Sequence, residues 1–494
     1  MKTIKHISAL MVSLILLCFS SCELAQELDE YKPLYALDAN EAITNESTSE
    51  LALTGIYAGF HQQNAGSGIP EIYTIPSLMS GTIVNTFLLN DTEVLGYVNN
   101  SPISVKTTQG LGAYTRMYSI INRANWLIEK VTELTDAKFP TPGRRLQIIA
   151  EAKMLRATAN FYLLRLWGQF YDNNSKFGIC IRTEPSRSGD AFPRNTVRES
   201  YHAIIEDLDF AIQNAPELRD KGYTSKTYAV GLKAKVLLYQ GNYSEAATLA
   251  KQIINSGNSN FALAATYGEI FLNHATPELF DSTEIIFGTK GDPVASIGIG
   301  NVIGTIEAVN PPYINSVLET TTIGTQKIAH DATRVSSTIK MGYFGFDSLK
   351  SNFNFSPPDN KYEMIYHLRM SEIYLIYAEA DARANKTVSA DALAALNKIR
   401  LRAGAKTTGG DGFETYPSTI TYAEFLEAIR IEKRVELGIE TGEDWFDLVR
   451  YHFIDGFDVT KVKPTATDPN KYILPIDYVN IEAGKNIVEQ NPSY

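Results

Sequence analysis

The stretch GLKAKVLLYQGNYSEAATLAKQII, from Gly231 to Ile254, predicts two helices that are joined by a tight turn. Gly241 and Asn242 mark the turn, and Tyr243 follows where an aromatic ring can fill the gap between the helices. Apolar and small residues recur at helical spacing on both sides of the turn: Ala234, Leu237, Leu238, Ala246, Ala247 and Ala250. Because small residues at a helix crossing allow close approach, we expect the two helices to pack directly against each other.

Similar signals elsewhere indicate that this arrangement extends through much of the chain. The pair is similar to a tetratricopeptide unit, and Ser371–Arg400 predicts a second helical hairpin with a longer turn, although no strict repeat length emerges. Thr196 with Glu199, and Thr421 with Glu424, have the spacing of capping boxes at helix starts. The predicted fold class is mostly α, with tetratricopeptide-like helix pairs forming one globular scaffold with long irregular loops and minor β structure.

Two segments interrupt the helical pattern. Residues 63–108 and 257–360 are rich in loop-forming residues, and the second contains a strand-like run from Glu284 to Thr289. Both carry many aromatic residues and few charge runs, which favours ordered functional loops over disorder.

Motifs for catalysis are missing from the sequence. The seven histidines form no His-x-x-x-His pair, and neither a Gly-x-Ser-x-Gly elbow nor a Walker A loop occurs. The glycine-rich run Gly298–Gly304 is one residue too long for a dinucleotide fingerprint, and Cys180 stands in an apolar run typical of a core cysteine. We therefore expect no enzyme activity, cofactor or metal site, although a pair of carboxylates that meet in space would leave glycoside hydrolysis open.

Charged residues cluster in AIRIEKRVELGIETGEDWFDLVRY, from Ala428 to Tyr451. Arg430 and Arg434 lie one helical turn apart on one face, whereas Glu432, Glu436 and Glu440 lie on another. Since opposite charges are not spaced mainly for pairing along one helix, we expect these residues to find partners on neighbouring helices. A structural ion-pair lattice is the interpretation that we prefer to a catalytic one.

The start of the chain predicts export and a lipid anchor. Lys2 and Lys5 precede an apolar run, Ile7–Phe19, which has the length of a signal-peptide core and is too short to span a bilayer. Ser20, Ser21 and Cys22 resemble a bacterial lipobox, in which the cysteine is acylated and retained, and a plain secretory signal is the alternative. Residues 1–21 are thus predicted to be a signal peptide, and 22–40 a lipidated acidic spacer.

The net charge narrows the possible partners. The chain has 45 Lys and Arg against 56 Asp and Glu, a formal charge of −11. Removal of residues 1–21, whose charges are Lys2 and Lys5, leaves −13. This balance argues against nucleic acid and against docking to membranes through basic patches.

Several motifs, taken in their order along the chain, resemble the SusD/RagB family of nutrient-uptake outer-membrane lipoproteins. Leu51–Phe60 and Leu396–Gly404 resemble two of its helices, and the closing Gln490–Tyr494 resembles its tail. Two further helices match through Tyr118, Ile121, Ala124, Asn125, Glu151, Ala152, Leu155, Arg156 and Ala157. Ser493 stands where the family commonly has glycine, and Asp444 where an arginine is common, and both departures lie in scaffold motifs.

The resemblance implies a function without a chemical step. It implies four tetratricopeptide-like helix pairs, divided here between an N-terminal region, 41–256, and a C-terminal region, 257–494, with its loop-rich insertion at 257–360. Such proteins cover a SusC-like TonB-dependent β-barrel transporter at the cell exterior and capture a glycan, or in some members a peptide, for import. The alternatives are a secreted glycan hydrolase and a periplasmic helical-repeat scaffold that binds protein.

Ligand residues are expected in the loops of the two irregular segments, as the resemblance implies. Aromatic rings can stack on sugars and amides can bond hydroxyls, which makes the following residues candidates: Tyr73, Asn85, Phe87, Asn90, Tyr97, Asn301, Tyr313, Tyr343, Phe344 and Phe346. We hypothesise that Tyr73, Tyr97 and Tyr313 line one ligand surface; the alternative is that these rings hold the loops on the scaffold. The three tryptophans, Trp126, Trp167 and Trp445, lie in helical motifs and are expected in the core.

Overall fold

The first half of the chain is built from helices that pack in sequence order. A computed structural model of the protein describes residues 42–60, 71–85, 90–187, 191–272, 282–290, 307–331, 334, 339–341, 346–348, 364–485 and 487–494. In these residues the N-terminal helices are α1 (Glu46–Tyr57), α2 (Glu71–Ser80), α3 (Thr92–Val98), α4 (Gln109–Glu133), α5 (Arg144–Trp167), α6 (Val197–Asn214), α7 (Lys226–Gln240) and α8 (Tyr243–Ile254).

The second half continues the same stack. Its helices are α9 (Glu269–Leu272), α10 (Pro311–Val317), α11 (Met370–Asn385), α12 (Ala390–Arg402), α13 (Tyr422–Leu437), α14 (Glu443–Asp455) and α15 (Tyr478–Ala483). Helices α4 to α8 pack each on the next, α8 packs on α11, and α11 contacts both α12 and α13. The mostly helical fold class with minor β structure is confirmed. None of the helices in the described ranges is long and apolar enough to cross a membrane.

Short strands form small antiparallel sheets among the helices. They are β1 (Ile83–Asn85), β2 (Ile285–Lys290), β3 (Glu307–Val309), β4 (Thr320–Ile323), β5 (Gln326–Ala329), β6 (Ile339–Met341), β7 (Phe346–Ser348) and β8 (Met364–Arg369). One sheet has the order β1-β3-β7-β6, with Ile83 opposite Val309, and β2 pairs with β8. Both β2 and β8 contribute side chains to the core. β4 and β5 form a hairpin in which Thr320 lies opposite Ala329. The strand predicted at Glu284–Thr289 is confirmed as β2.

The helix pair at Gly231–Ile254 is confirmed as α7 and α8. Gly241 adopts φ +90° and ends α7 in the left-handed region that favours glycine. Gly231 meets a different part of the structure: a Cβ there would lie 2.6 Å from Leu368 Cδ2 and 3.0 Å from Ile373 Cδ1. The small residue therefore brings α7 close to β8 and α11, and so joins the two halves of the chain.

Both predicted capping boxes are present. Thr196 Oγ1 accepts a hydrogen bond from the Glu199 amide, and the Glu199 carboxylate accepts one from the Thr196 amide at 2.7 Å. Thr421 and Glu424 repeat the arrangement at the start of α13. These local bonds fix the first turns of α6 and α13, as the sequence predicts.

The predicted irregular segment 63–108 is wrong in part, because it contains α2 and α3. All ten residues of α2 are buried, including Pro76 within the helix. α2 packs against α14 and α4, and a Cβ on Gly442 would lie 2.9 Å from Pro76 Cβ. Burial of an apolar helix among other helices outweighs the loop-forming composition of the surrounding sequence.

The predicted ion-pair lattice is confirmed in the core. Five arginines with less than 2% exposure each lie 2.5–3.1 Å from a carboxylate: Arg165, Arg334, Arg369, Arg400 and Arg450. Glu432, Glu436 and Glu440 all take part, and their partners come from other elements, as expected. Burial alone would raise the pKa of Glu436, but the guanidinium groups of Arg402, Arg369 and Arg334 hold it well below its usual range.

The C-terminal tail is docked on the helical scaffold. Asn491 is buried, and its side chain donates to the Trp167 carbonyl at 2.8 Å and to the Leu474 carbonyl at 2.7 Å. Ser493, at the position where the resembling family commonly has glycine, has φ +69°. The local backbone therefore retains the left-handed conformation that glycine adopts without strain.

We expect Ser493→Gly to raise the free energy of unfolding by up to about 1 kcal/mol, because the left-handed conformation costs a serine more than a glycine. Urea unfolding followed by circular dichroism measures the change. Ser418→Gly is the matched control, since Ser418 is exposed and has no positive φ, and it should give no gain. An equal gain in both variants would contradict the conformational explanation.

Candidate functional site

A cavity of about 650 Å³ lies between α10, the β4–β5 hairpin, α13 and the segment 457–465 that follows α14. It is the largest of the described cavities. Tyr313, one of the predicted ligand residues, lines it, and Gly81 reaches it from the N-terminal half. The cavity thus collects residues from widely separated parts of the sequence.

Tyr313 and Arg434 lie against each other in one wall of the cavity. Tyr313 is 5% exposed, and its hydroxyl donates to the Arg434 carbonyl at 3.3 Å. The Arg434 guanidinium lies 4.9 Å from the ring centre, in the range of a cation–π contact. Burial raises the pKa of the Tyr313 hydroxyl above its usual value, so it stays protonated at neutral pH.

Arg434 departs from the lattice prediction. Among the described residues no carboxylate lies within ion-pair distance of it, and its one side-chain hydrogen bond is a long one, 3.4 Å from Nη1 to Ser316 Oγ. Its Nε has no hydrogen-bond partner, and burial lowers its pKa. Arg430 also departs from the prediction, because it pairs with Glu427 on its own helix at 2.5 Å. The face that carries both arginines turns toward the cavity and away from the neighbouring helices.

Lys463 is a second cation of the cavity without an ion pair in the described part of the chain. It is half-buried, and its Nζ lies 3.6 Å from where a Cβ on Gly81 would stand. Gly81 has φ +74°, and its carbonyl accepts a hydrogen bond from Asn310 Nδ2 at 2.9 Å. Burial lowers the pKa of Lys463 to about 8, which leaves most of its ammonium groups charged at pH 7. A side chain at position 81 would occupy the space that Lys463 crosses.

His330 also lines the cavity, and its imidazole ring is neutral at pH 7. Its Nδ1 lies 3.3 Å from the Ser316 carbonyl, which can only accept, so Nδ1 carries the proton. Nε2 then accepts from the Thr321 hydroxyl. Burial lowers the pKa of His330, and its ring adds no positive charge to the cavity at neutral pH.

The lining has a surplus of positive charge. Four cations, Arg430, Arg434, Lys461 and Lys463, stand against two carboxylates, Glu319 and Glu427. The local balance is therefore +2 in a chain whose formal charge is −11. Because the remainder of the molecule is acidic, this cavity is distinguished by its charge as well as by its size.

A second cavity, of about 410 Å³, lies beside α4 and is rich in tyrosine and amide side chains. Its motif residues hold the backbone of a neighbouring segment. Asn125 donates to the carbonyls of Arg182 and Glu184, at 3.1 and 2.9 Å, and Tyr118 donates to the Cys180 carbonyl. These bonds indicate a structural role for the residues that carry the family motif.

The structure places Tyr73 and Tyr97, two of the predicted ligand residues, in the core, and neither lines the larger cavity. Tyr73 on α2 is 1% exposed, and Tyr97 on α3 is 2% exposed with its hydroxyl on Glu93 at 2.6 Å. Both rings belong to the core because α2 and α3 are buried helices. Of the three tyrosines, the cavity includes only Tyr313.

Other predicted residues fall outside the described residues or are described only in part. The side chain of Asn85 is not described, although its backbone pairs with Glu307 in the β1–β3 ladder. Asn90 is exposed. Phe346 belongs to β7, and its side chain is not described. Outside the described residues lie Cys22, Phe87, Asn301, Tyr343 and Phe344.

The predicted core residues are largely confirmed. Trp167 and Trp445 are buried, whereas Trp126 is half-buried with the Arg187 guanidinium 4.8 Å from its ring. Cys180 is a buried free thiol, and burial raises its pKa. Within the described ranges, no group of three or more His, Cys, Asp and Glu side chains is placed to hold a metal ion.

Sequence reasoning missed Gly81, His330 and Lys463 as residues of this site. Lys463 had a weak signal, because Lys461 and Lys463 stand close together without a neighbouring acid that could pair with both. Arg434 had a stronger signal in its position on the arginine face of α13. No local pattern indicates that Gly81 would meet Lys463 across 382 residues of chain.

Comparison with known families gives two matches that cover different halves of the chain. A model of the SusD family matches residues 324–494. A model described as starch-binding and associating with the outer membrane, from a SusD-like group, matches residues 37–238.

Two curated relatives are SusD-like proteins. One, from Bacteroides ovatus, is 26% identical over 69% of this chain, and the match spans 65% of the relative's length. The other, SusD-like protein P25 from Formosa agariphila, is 23% identical over 89% of this chain and 88% of its own.

Solved structures share the fold. A putative sugar binding protein from Bacteroides vulgatus has a TM-score of 0.73 and 22% identity, covering 92% of this chain and 99% of its own. A SusD superfamily protein from Bacteroides thetaiotaomicron has a TM-score of 0.70 and 21% identity, and the match covers 91% of this chain and 100% of that protein. A laminarin binding SusD-like protein has a TM-score of 0.66 and 20% identity, and the match covers 92% of this chain and 100% of that protein.

Proposed function

The chain belongs to the SusD/RagB family, and from this premise we propose that it is a lipid-anchored outer-membrane protein that binds a glycan and delivers it to a SusC-like TonB-dependent transporter. In this proposal the protein has no chemical step of its own. The lipid on Cys22 holds it at the cell exterior, where the ligand passes from its surface into the barrel.

This proposal rests on the two family matches, one in each half of the chain. They follow each other in order on one scaffold, and one of them is described as starch-binding and associated with the outer membrane. The solved relatives that are named for sugar and laminarin binding support glycan as the ligand class.

The large cavity has the chemistry that such a ligand needs. Tyr313 offers an aromatic edge, the hydroxyls of Ser316 and Thr320 can bond sugar hydroxyls, and Val317 and Ile431 are apolar. Binding sites of this kind combine apolar walls with a few polar groups that fix orientation. The volume of about 650 Å³ is sufficient for a short oligosaccharide segment.

A glycan array probed with the mature chain, followed by calorimetry on each hit, tests glycan binding. We expect at least one glycan class to bind and to be recovered unchanged. Release of new reducing ends would favour the secreted hydrolase instead, and an array without any bound glycan would contradict the proposal. Co-purification of a β-barrel protein from detergent-solubilised outer membranes tests the transporter partnership, and its absence would contradict delivery to such a barrel.

Cys22→Ala is expected to abolish anchoring. Because the acyl chains would supply the membrane affinity, at about 0.8 kcal/mol for each buried CH₂, the variant should be released as soluble protein or remain an uncleaved precursor. Fractionation of cells followed by immunoblotting measures this.

Two controls accompany this experiment. Cys180→Ala removes a cysteine that lies in the folded core and should leave the protein in the outer-membrane fraction. An unchanged distribution of the Cys22→Ala variant would contradict the lipid anchor. Protease treatment of intact cells should digest the wild-type protein, and protection would favour a periplasmic scaffold.

A further inference from the structure

We propose that the cavity beside Tyr313 is an anion site, defined by Arg434 and Lys463, that selects a saccharide carrying a carboxylate or sulfate group. The inference rests on the proposed function for the saccharide, whereas the preference for negative charge comes from the cavity itself.

The two cations differ from the most buried arginines of this protein, all of which are paired with carboxylates. Each of the five most buried arginines has a carboxylate within 3.1 Å. Arg434 and Lys463 have none within 4 Å among the described residues, although both are half-buried. Removal of a cation from water without a partner is costly, so a cavity that retains two of them gains when an anion enters.

Both groups have unused hydrogen-bond donors. In the described part of the chain, Arg434 bonds only through Nη1, at 3.4 Å from Ser316 Oγ, and the Lys463 ammonium makes no hydrogen bond. A guanidinium fork matches the planar oxygens of a carboxylate and the oxygens of a sulfate, and an ammonium adds a point charge. Both residues line the same cavity, so an anionic group that enters it meets unused donors on each of them.

The acids around the cavity do not cancel this charge. Arg430 lies on Glu427 at 2.5 Å, which leaves Glu319, at the exposed end of the lining, as the carboxylate that opposes an incoming anion. Asp444 is buried outside the lining and accepts a hydrogen bond from Ser80 Oγ at 2.9 Å. Burial raises the pKa of Asp444, while the hydrogen bond from Ser80 and the positive charge of Arg434 oppose that rise.

The rest of the lining suits the carbon skeleton of a sugar. Val317, Ile431 and Pro464 contribute apolar surface near the two cations. A saccharide with an acidic substituent presents an apolar ring face and a charged edge together, which corresponds to this arrangement. A free inorganic anion would leave the apolar part of the cavity unused.

Isothermal calorimetry with three probes tests the inference on the mature chain. The probes are an oligogalacturonate for carboxylate, a carrageenan oligosaccharide for sulfate, and a laminari-oligosaccharide as the neutral reference. We expect at least one acidic probe to bind about tenfold or more tightly than the neutral one, and its affinity to fall as the salt concentration rises. Which acidic probe binds distinguishes carboxylate from sulfate.

Variants assign the preference to the two residues. Lys463→Gln and Arg434→Gln should each weaken the acidic probe by about tenfold, since a charge-assisted hydrogen bond is lost. Lys463→Arg should retain the affinity. Lys226→Gln is the control: it removes the charge of a lysine that pairs with Glu217 outside the cavity, and it should leave the affinity for the acidic probe unchanged. Melting temperatures identify any variant that fails to fold, and the salt dependence of the wild-type protein tests the preference without a variant.

Each failure has a separate meaning. Binding of the neutral probe with equal or weaker binding of both acidic probes overturns the anion site and leaves the proposed glycan function intact. Equal binding of an acidic probe by wild type and by both glutamine variants also overturns the site. Absence of binding to any saccharide overturns this inference and the proposed function together.

Discussion

Arg369→Met is expected to lower the free energy of unfolding by roughly 3–5 kcal/mol, because it removes the cation at the centre of a buried carboxylate cluster. Arg369 is 1% exposed. It donates to Glu284 at 2.6 Å, to Glu436 at 2.7 Å and to Glu440 at 2.7 Å. The remaining carboxylates would stay buried with less compensating charge, which is the costly state for an ion pair. Urea unfolding at pH 7, followed by circular dichroism, measures the loss.

Lys176→Met is the matched control for this prediction. Lys176 pairs with Glu489 at 2.5 Å, but the two side chains are 64% and 57% exposed. An exposed pair contributes less than about 1 kcal/mol, so this variant should be close to wild type. Addition of Glu440→Gln to Arg369→Met should recover part of the loss, since it removes one of the buried negative charges that Arg369 compensates. A loss below about 1 kcal/mol for Arg369→Met alone would show that the other arginines of the lattice compensate.

Tyr73→Ala is expected to lower the free energy of unfolding by roughly 3–5 kcal/mol, by analogy with other large aromatic truncations in cores. The ring is buried between helices, with the Tyr162 ring at 6.4 Å in an edge-to-face contact. Its hydroxyl lies 3.5 Å from His367 Nδ1, at the limit of a hydrogen bond. The cavity left by the ring would cost far more than the hydroxyl contact. Urea unfolding measures the change.

Tyr73→Phe separates the ring from the hydroxyl. It keeps the packing and removes only the long contact to His367, so the free energy of unfolding should change by less than about 1.5 kcal/mol. If Tyr73→Ala instead kept full stability and lost ligand affinity, the tyrosine would belong to a binding surface. That outcome would contradict its burial in the core.

The sequence by itself determined the features that depend on nearby residues. Periodic apolar positions gave the helices, and the Thr196–Glu199 and Thr421–Glu424 spacings gave two helix starts with their hydrogen bonds. Small residues around Gly241 gave the α7–α8 pair. The spacing of the acids in and just after α13 was enough to predict that Glu432, Glu436 and Glu440 have partners elsewhere in the fold. Such signals act within one or two helical turns, so the sequence contains them completely.

The positions of the candidate ligand residues could not be predicted in the same way. Tyr73 and Tyr97 lie in sequence surroundings typical of loops, yet α2 and α3 are buried and their rings belong to the core. Tyr313 has a similar local sequence signal and lines the large cavity instead. An aromatic residue fits a core and a ligand wall equally well, and only its position relative to distant helices distinguishes the two.

The tertiary structure also decided which charges remain unpaired. Arg434 and Glu436 lie two residues apart on α13, yet Glu436 pairs with Arg369 whereas Arg434 lines the cavity. Lys463 reaches the same cavity across Gly81, a residue from the other end of the chain. Pairing of charges depends on distances of a few ångströms between elements that are hundreds of residues apart. Those distances are set by the packing of the whole helical stack, which no local pattern in the sequence specifies.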